Sequence, residues 1–132
     1  MKRLLSIIAL VVACQASATN MWYVSRSAAP GGDGSSEAPF QSIQSAIAEA
    51  SEDDIVKVGP GTYDQDEIDD GYMKSRVVIT KRLTLEATGR KDETFIVGRK
   101  SSAADGYGAD AVRCIYAGGH QATIRGFTIC NG

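Results

Sequence analysis

The sequence predicts an all-β protein that carries one short helix. Short runs of β-branched and aromatic residues recur along the chain, and turns rich in Gly and Asp separate them. Residues 42–51 have the three- and four-residue apolar spacing of an amphipathic helix. Because no helices alternate with the strands, a doubly wound α/β sheet is excluded. An antiparallel sandwich and a parallel solenoid both remain compatible with this spacing.

The predicted helix, residues 42–51, leads directly into a strand. Ser42 suits the N-cap position, because its hydroxyl can accept a hydrogen bond from the first turn. The polar run 51–54 ends the helix, and the strand at 55–58 is stopped by the Gly-Pro-Gly segment 59–61. The apolar helix face consists of Phe40, Ile43, Ala46, Ile47 and Ala50. Another part of the fold must cover this face.

The other predicted strands lie on both sides of the helix. Several alternate between apolar and polar positions, which is typical of strands with one buried face. The strands are predicted at residues 22–25, 76–80, 83–87, 94–97, 111–116 and 122–130. Between them, residues 29–36 form a loop by composition, and the acidic segment 64–71 is predicted to be an exposed excursion.

Residues 1–18 are predicted to be a signal peptide, which leaves residues 19–132 as the mature domain. Two basic residues precede the apolar run 4–13, which is too short to span a bilayer, and an A-x-A motif ends the segment. We therefore expect an exported protein, either secreted or on the cell surface. Two alternatives remain, a lipoprotein anchored to the membrane through a lipid on Cys14 and an ordinary hydrophobic N-terminal helix of the fold.

Composition excludes one class of partner. The chain has 14 basic and 16 acidic residues, a net charge of −2, and its basic residues form no cluster, so no nucleic-acid partner is expected. A chain of 132 residues can form one small domain.

Several short motifs together resemble a known family. Tyr-Val-Ser at 23–25 is followed by the loop at 31–36, then by Pro-Phe and the amphipathic helix, then by Pro-Gly-Thr-Tyr at 60–63. Residues 123–129 are similar to a recurrent coil motif, with Asn-Gly at 131–132 in the position of the turn. In this order the chain resembles the N-terminal part of right-handed parallel β-helix proteins of the pectin lyase-like superfamily. The resemblance implies an all-β solenoid with a short N-terminal capping α-helix.

The resemblance also implies expectations about completeness and function. Residues 19–132 would supply the cap and the first coils of a truncated solenoid, because a last coil without a cap exposes its strand edge. The expected function is a binding or surface solenoid that has no catalytic site in this fragment, with a polysaccharide or cell-surface glycan as partner. The alternative is the N-terminal part of a secreted polysaccharide lyase or glycoside hydrolase. Calcium is suggested by fold analogy alone.

No residue is predicted to be catalytic or to bind a cofactor, and the metal ligands stay undetermined. The carboxylates at 64–70 fail the EF-hand pattern, and the segment 106–112 contains only one partial copy of a calcium-binding repeat. His120 is predicted to lie in a surface turn, and Arg113 and Arg125 are predicted to occupy outward strand positions. The aromatic residues Trp22, Tyr23 and Phe40 are assigned to core or cap packing.

Cys114 and Cys130 are predicted to be unpaired thiols. Alternation from Val112 and Tyr116 points Cys114 inward, whereas an inward Ile129 turns Cys130 outward. Their separation in sequence is also shorter than a full coil. Cys114 is therefore expected to be buried, with Cys130 more exposed.

Overall fold

The structure is a computed structural model that describes residues 18–119 and 121–132. The predicted signal peptide, apart from Ala18, and the alternative lipidation site at Cys14 lie outside the described residues. His120 lies outside them as well. The described part of the chain is rich in strands and has one short helix, as expected for an all-β protein.

The strands occupy nearly all of the predicted positions. They are β1 (Met21–Val24), β2 (Ile55–Val58), β3 (Gly61–Tyr63), β4 (Ile68–Asp69), β5 (Lys74–Ile79), β6 (Thr84–Ala87), β7 (Thr94–Val97), β8 (Val112–Ala117), β9 (Thr123–Arg125) and β10 (Thr128–Cys130). The helix α1 covers Ile43–Glu49. Within the described residues, no helix is long and apolar enough to cross a membrane.

The strands form three sheets, and every pairing except β4 with β5 is parallel. Their orders are β1-β2-β6-β9, β10-β7-β3 and β4-β5-β8. The chain therefore adds a strand to the first sheet and then strands to the other two sheets. Its next strand pairs with its own earlier strand in the first sheet. This parallel pairing rules out the antiparallel sandwich that the spacing had left open.

Parallel pairing in register stacks like side chains on each other. In the first sheet Val56 pairs with Leu85, which pairs with Ile124, so one face becomes a continuous apolar core. Val56 and Leu85 are fully buried. In the second sheet Ile129 pairs with the buried Ile96 and so lies on the same face, as predicted. It remains 52% exposed because its strand, β10, is at the sheet edge.

Helix α1 packs against this core with the face predicted for it. Ile43, Ala46 and Ile47 are buried, and the Ser42 hydroxyl accepts a hydrogen bond from the Ser45 N–H at 3.3 Å. The predicted N-cap is therefore confirmed. At the other end, the Lys81 ammonium donates hydrogen bonds to the carbonyl oxygens of the last turn and the C-cap, at 2.5–3.1 Å. A cation there complements the negative end of the helix dipole.

The helix also covers a backbone edge of β5. The Gln44 side chain donates to the Val78 carbonyl at 3.2 Å and accepts from the Val78 N–H at 2.9 Å. Val78 lies beyond the part of β5 that pairs with β4. The amide of Gln44 therefore satisfies the backbone where no neighbouring strand does.

Three details differ from the predictions. Residues 122–130 are not one strand but two, because the chain turns at Gly126, whose φ of +83° favours glycine. The strand at 55–58 does end before the Gly-Pro-Gly segment, but Gly61 immediately begins β3. Tyr116, expected to point inward, is 37% exposed and lies over the Arg113 guanidinium.

Candidate functional site

A groove of about 220 Å³ lies beside the β4-β5-β8 sheet. Its walls come from the turn before β5, the loop between β7 and β8, and the start of β8. The lining residues are Met73, Arg99, Lys100, Asp105, Gly106, Tyr107, Ala111, Val112, Arg113 and Gly132. A depression of about 430 Å³, which shares Arg113 and Gly132 with this groove, and one of about 320 Å³ elsewhere on the surface are more open to solvent. We call the groove of about 220 Å³ the Tyr107 groove.

Tyr107 is 82% exposed, yet its backbone is held in place. Its N–H donates to the Asp105 carboxylate at 3.0 Å, a local turn that leaves the aromatic ring free to contact a ligand. The base of the same loop is fixed by Asp110, which accepts hydrogen bonds from Ser101 and from the Ser102 N–H and hydroxyl. These hydrogen bonds hold the pKa of Asp110 well below its usual value, and the bond from Ser101 has the largest effect.

Arg99 is paired with a carboxylate of the acidic segment. Its Nη1 lies 2.5 Å from Glu67 Oε1, and its Nε and Nη2 donate to the Asp110 carbonyl at 3.2 and 3.0 Å. Glu67 also lies 3.5 Å from both Lys74 Nζ and the buried Arg76 Nη1. The hydrogen bond from Arg99 is the main reason that the pKa of Glu67 is lowered.

Arg113 forms the second arginine–carboxylate pair. Its Nη2 donates to Asp70 Oδ2 at 2.6 Å, its Nε donates to Ser75 Oγ at 3.2 Å, and its guanidinium lies 4.8 Å from the Tyr116 ring centroid. Hydrogen bonds from the backbone N–H groups of Met73 and Tyr72, followed by that from Arg113, lower the pKa of Asp70. Arg113 is therefore part of the groove wall, with its side chain only 30% exposed.

The acidic segment is not simply the exposed excursion that the sequence predicted. Asp66 is partly buried and accepts a hydrogen bond from Ser42 Oγ at 2.6 Å, while Glu67 and Asp70 pair with arginines. Glu67 and Asp70 are held by arginines that lie far from them in the chain. Carboxylates that face arginines do not fit a calcium site. Among the described residues, no three His, Cys, Asp or Glu side chains are grouped to hold a metal ion.

Three other residues singled out from the sequence, Arg125, Trp22 and Phe40, do not line the groove. Arg125 is exposed and lies 3.3 Å from Glu86 Oε1 on the outer face of the first sheet. Trp22 and Phe40 stack with ring centroids 6.3 Å apart and pack against the core, as predicted. Gly34 lies against both rings, and a Cβ there would come within 2.9 Å of each. His120 lies outside the described residues.

Sequence reasoning missed the groove itself. In the sequence Tyr107 stands out only as part of a single partial calcium-binding repeat, and Arg99 and Lys100 lie in the same loop between β7 and β8. The pairing of β5 with β8 brings Met73 beside that loop. The available signal was the presence of tyrosines in segments rich in Gly and Asp. Aromatic residues in such polar loops favour an interaction site over core packing.

Comparison with known proteins gives one partial match. Residues 29–72 match the family described as Protein of unknown function (DUF1565). This family is associated with parallel β-helix proteins. The matched segment contains the loop before α1, the helix itself, and β2 to β4. A search of curated proteins found no relative of the chain.

Proposed function

We propose that this chain belongs to an exported or cell-surface protein built as a right-handed parallel β-helix of the pectin lyase-like type, and that it binds a glycan. The fold proposal is supported by the way each sheet grows as the chain returns beside its own earlier strand. The short helix that covers the apolar end of the core supports it too. A crystal structure of the exported protein tests the handedness and the coil number.

The observation that carries the binding role is the Tyr107 groove. Its surface is mainly apolar, and it combines a pre-positioned, exposed tyrosine with two arginines, each paired with a carboxylate beside the groove. Sugars present an apolar C–H face that packs on an aromatic ring, and their hydroxyls hydrogen-bond to planar polar side chains. Binding sites with an apolar lining and a few fixed polar groups have this composition.

Binding is favoured over catalysis because the two arginines of the groove and their carboxylate partners are already engaged. A general base needs a free lone pair within reach of a substrate proton. Arg113 is committed to Asp70 and Ser75, and Glu67 receives three cations. Such groups suit a rigid recognition surface better than proton transfer.

Glycan binding by the purified exported protein tests this proposal. A panel of plant, microbial and animal polysaccharides is screened by affinity electrophoresis, and the strongest binder is measured by titration calorimetry. Tyr107→Ala should weaken binding about tenfold or more, because the aromatic platform is lost. Tyr72→Ala is the matched control, since Tyr72 is 94% exposed and does not line the groove. If no glycan on the panel binds, the proposed function is wrong.

A further inference from the structure

The charges around the Tyr107 groove are balanced. Arg99 is matched by Glu67 and Arg113 by Asp70, both at 2.5–2.6 Å. The remaining groove charges, Lys100 and Asp105, have opposite signs. The groove therefore offers cationic side chains but no net positive charge.

The two carboxylates stay ionised at neutral pH. Hydrogen bonds lower the pKa of Glu67 and the pKa of Asp70 below their usual values, so neither arginine is released by protonation of its partner. An anionic ligand that approached Arg99 or Arg113 would meet a fixed negative charge beside each guanidinium. The chain as a whole carries a net charge of −2, which gives no long-range attraction for an anion either.

A ligand of uncharged hydroxyl groups fits this arrangement better. Each hydroxyl both donates and accepts hydrogen bonds, and the groove lining presents donors on Arg99 and Arg113 and an acceptor on Asp105. An acidic sugar needs donors at its carboxylate and gains nothing from Glu67 or Asp70. Tyr107 and Met73 supply the apolar surface against which a sugar ring packs.

From this balance we infer that the groove selects a neutral glycan and discriminates against polyuronates and sulfated polysaccharides. The inference rests on the proposed glycan-binding function and adds the chemical class of its ligand. Discrimination comes from Glu67 and Asp70, which pair with the lining arginines from beside the groove and act as repulsive elements toward anions.

A direct comparison of the affinities for neutral and acidic oligosaccharides tests the inference. The exported protein is titrated with cellohexaose, xylohexaose and mannohexaose, and separately with hexagalacturonate and an oligoalginate, at about 50 and about 500 mM salt. At least one neutral hexamer should bind about tenfold tighter than either acidic one, with an affinity that salt does not change. Salt-sensitive preference for an acidic oligomer would overturn the inference but leave glycan binding intact. Binding of neither class overturns both.

A charge variant separates selection by Glu67 from general surface charge. Glu67→Gln leaves Arg99 without its counter-charge. It should raise the affinity for hexagalacturonate at least about fivefold and lower the affinity for the neutral hexamer. Glu37→Gln removes one negative charge at an exposed position outside the groove, so it should change neither of these two affinities. If both variants gain the same affinity for hexagalacturonate, the net charge of the protein sets the preference for neutral glycans, and the Glu67–Arg99 pair does not.

Discussion

Asp54 is a buried carboxylate that ties the start of the first sheet together. It is 1% exposed and accepts hydrogen bonds from the Asn20 N–H at 2.9 Å, the Trp22 indole N–H at 3.0 Å and the Ser51 N–H at 2.8 Å. These donors come from the segment before β1, from β1 itself and from the end of the helical region. One side chain therefore links three segments at the capped end of the fold.

Replacement of Asp54 should be strongly destabilising. Asp54→Ala leaves three donors without an acceptor, so we expect the free energy of unfolding to fall by about 2–4 kcal/mol in urea titrations. Asp92→Ala is the control, because Asp92 is exposed and pairs only with the exposed Arg90. A loss for Asp54→Ala no greater than that for the control would contradict the linking role.

The same residue makes stability depend on pH. Burial by itself raises the pKa of Asp54, but hydrogen bonds from Ser51, Trp22 and Asn20 outweigh it, so the folded-state pKa lies below the usual value. A lowered folded pKa gives stability that is fully present above the unfolded pKa of about 4 and is lost as pH falls through the folded pKa. The difference in free energy of unfolding between wild type and Asp54→Asn should therefore become smaller as the pH is lowered from about 6 to about 3. A gap that widens in acid would show the opposite shift.

Within the described residues, Cys114 and Cys130 are free, as the sequence predicted. Cys114 is buried with its thiol 3.1 Å from the Cys130 carbonyl oxygen, and Cys130 is partly exposed. Burial raises the pKa of the Cys114 thiol, which lowers its thiolate fraction.

Thiol labelling should distinguish these two residues. In native protein that starts at Thr19, a thiol reagent should modify Cys130 faster than Cys114, and both should react once the protein is denatured. Cys130→Ser should remove the fast phase. A monomer with no reactive thiol after denaturation would mean that the two had formed a disulfide.

Among the elements, α1 contributes more than apolar burial. Gln44 pairs with both backbone groups of Val78, which lets a helix side chain replace a strand at the edge of β5. The same helix is capped at one end by Ser42 and at the other by Lys81 from a distant turn. Side chains thus complete the backbone hydrogen bonding where the helix meets the sheet.

Truncation of Gln44 should weaken this junction. Gln44→Ala leaves the Val78 N–H and carbonyl without a protein partner, so thermal unfolding should reveal a loss of about 1–2 kcal/mol, although alanine is the better helix former. Glu49→Ala is the matched control, because Glu49 lies on the exposed side of the same helix. If Gln44→Ala is as stable as the control, the edge contact contributes nothing.

At the scale of the whole molecule, export is a prediction for residues outside the described structure. We expect the precursor to be processed between Cys14 and Thr19, because a charged start, a short apolar run and small residues precede that point. Mass spectrometry of the mature N-terminus checks this. A start at Thr19 indicates simple cleavage, and a lipid on Cys14 indicates the lipoprotein alternative. Cys14→Ala abolishes membrane anchoring only in the second case, and an unprocessed Met1 contradicts both.

Local patterns in the sequence determined the elements. The spacing of Ile43, Ala46 and Ile47 places α1, and the strands at 55–58 and 94–97 follow from alternation and neighbouring turns. These features depend on residues close together in the chain, where periodicity and capping act. The buried Cys114 followed from the same alternation.

Only the tertiary structure decided what lies together across the sheets. The pairs Glu67–Arg99 and Asp70–Arg113 join segments far apart in the chain, and no spacing in the sequence marks them. They hold two carboxylates of an acidic run, which was expected to be solvated, against arginines that line the Tyr107 groove. The break at Gly126 is, by contrast, visible in the sequence, because the alternation that ends at Ile124 resumes out of phase at Phe127. The register of the sheets brings distant charges together. That register is set by the burial of entire sheet faces and not by any short stretch of sequence.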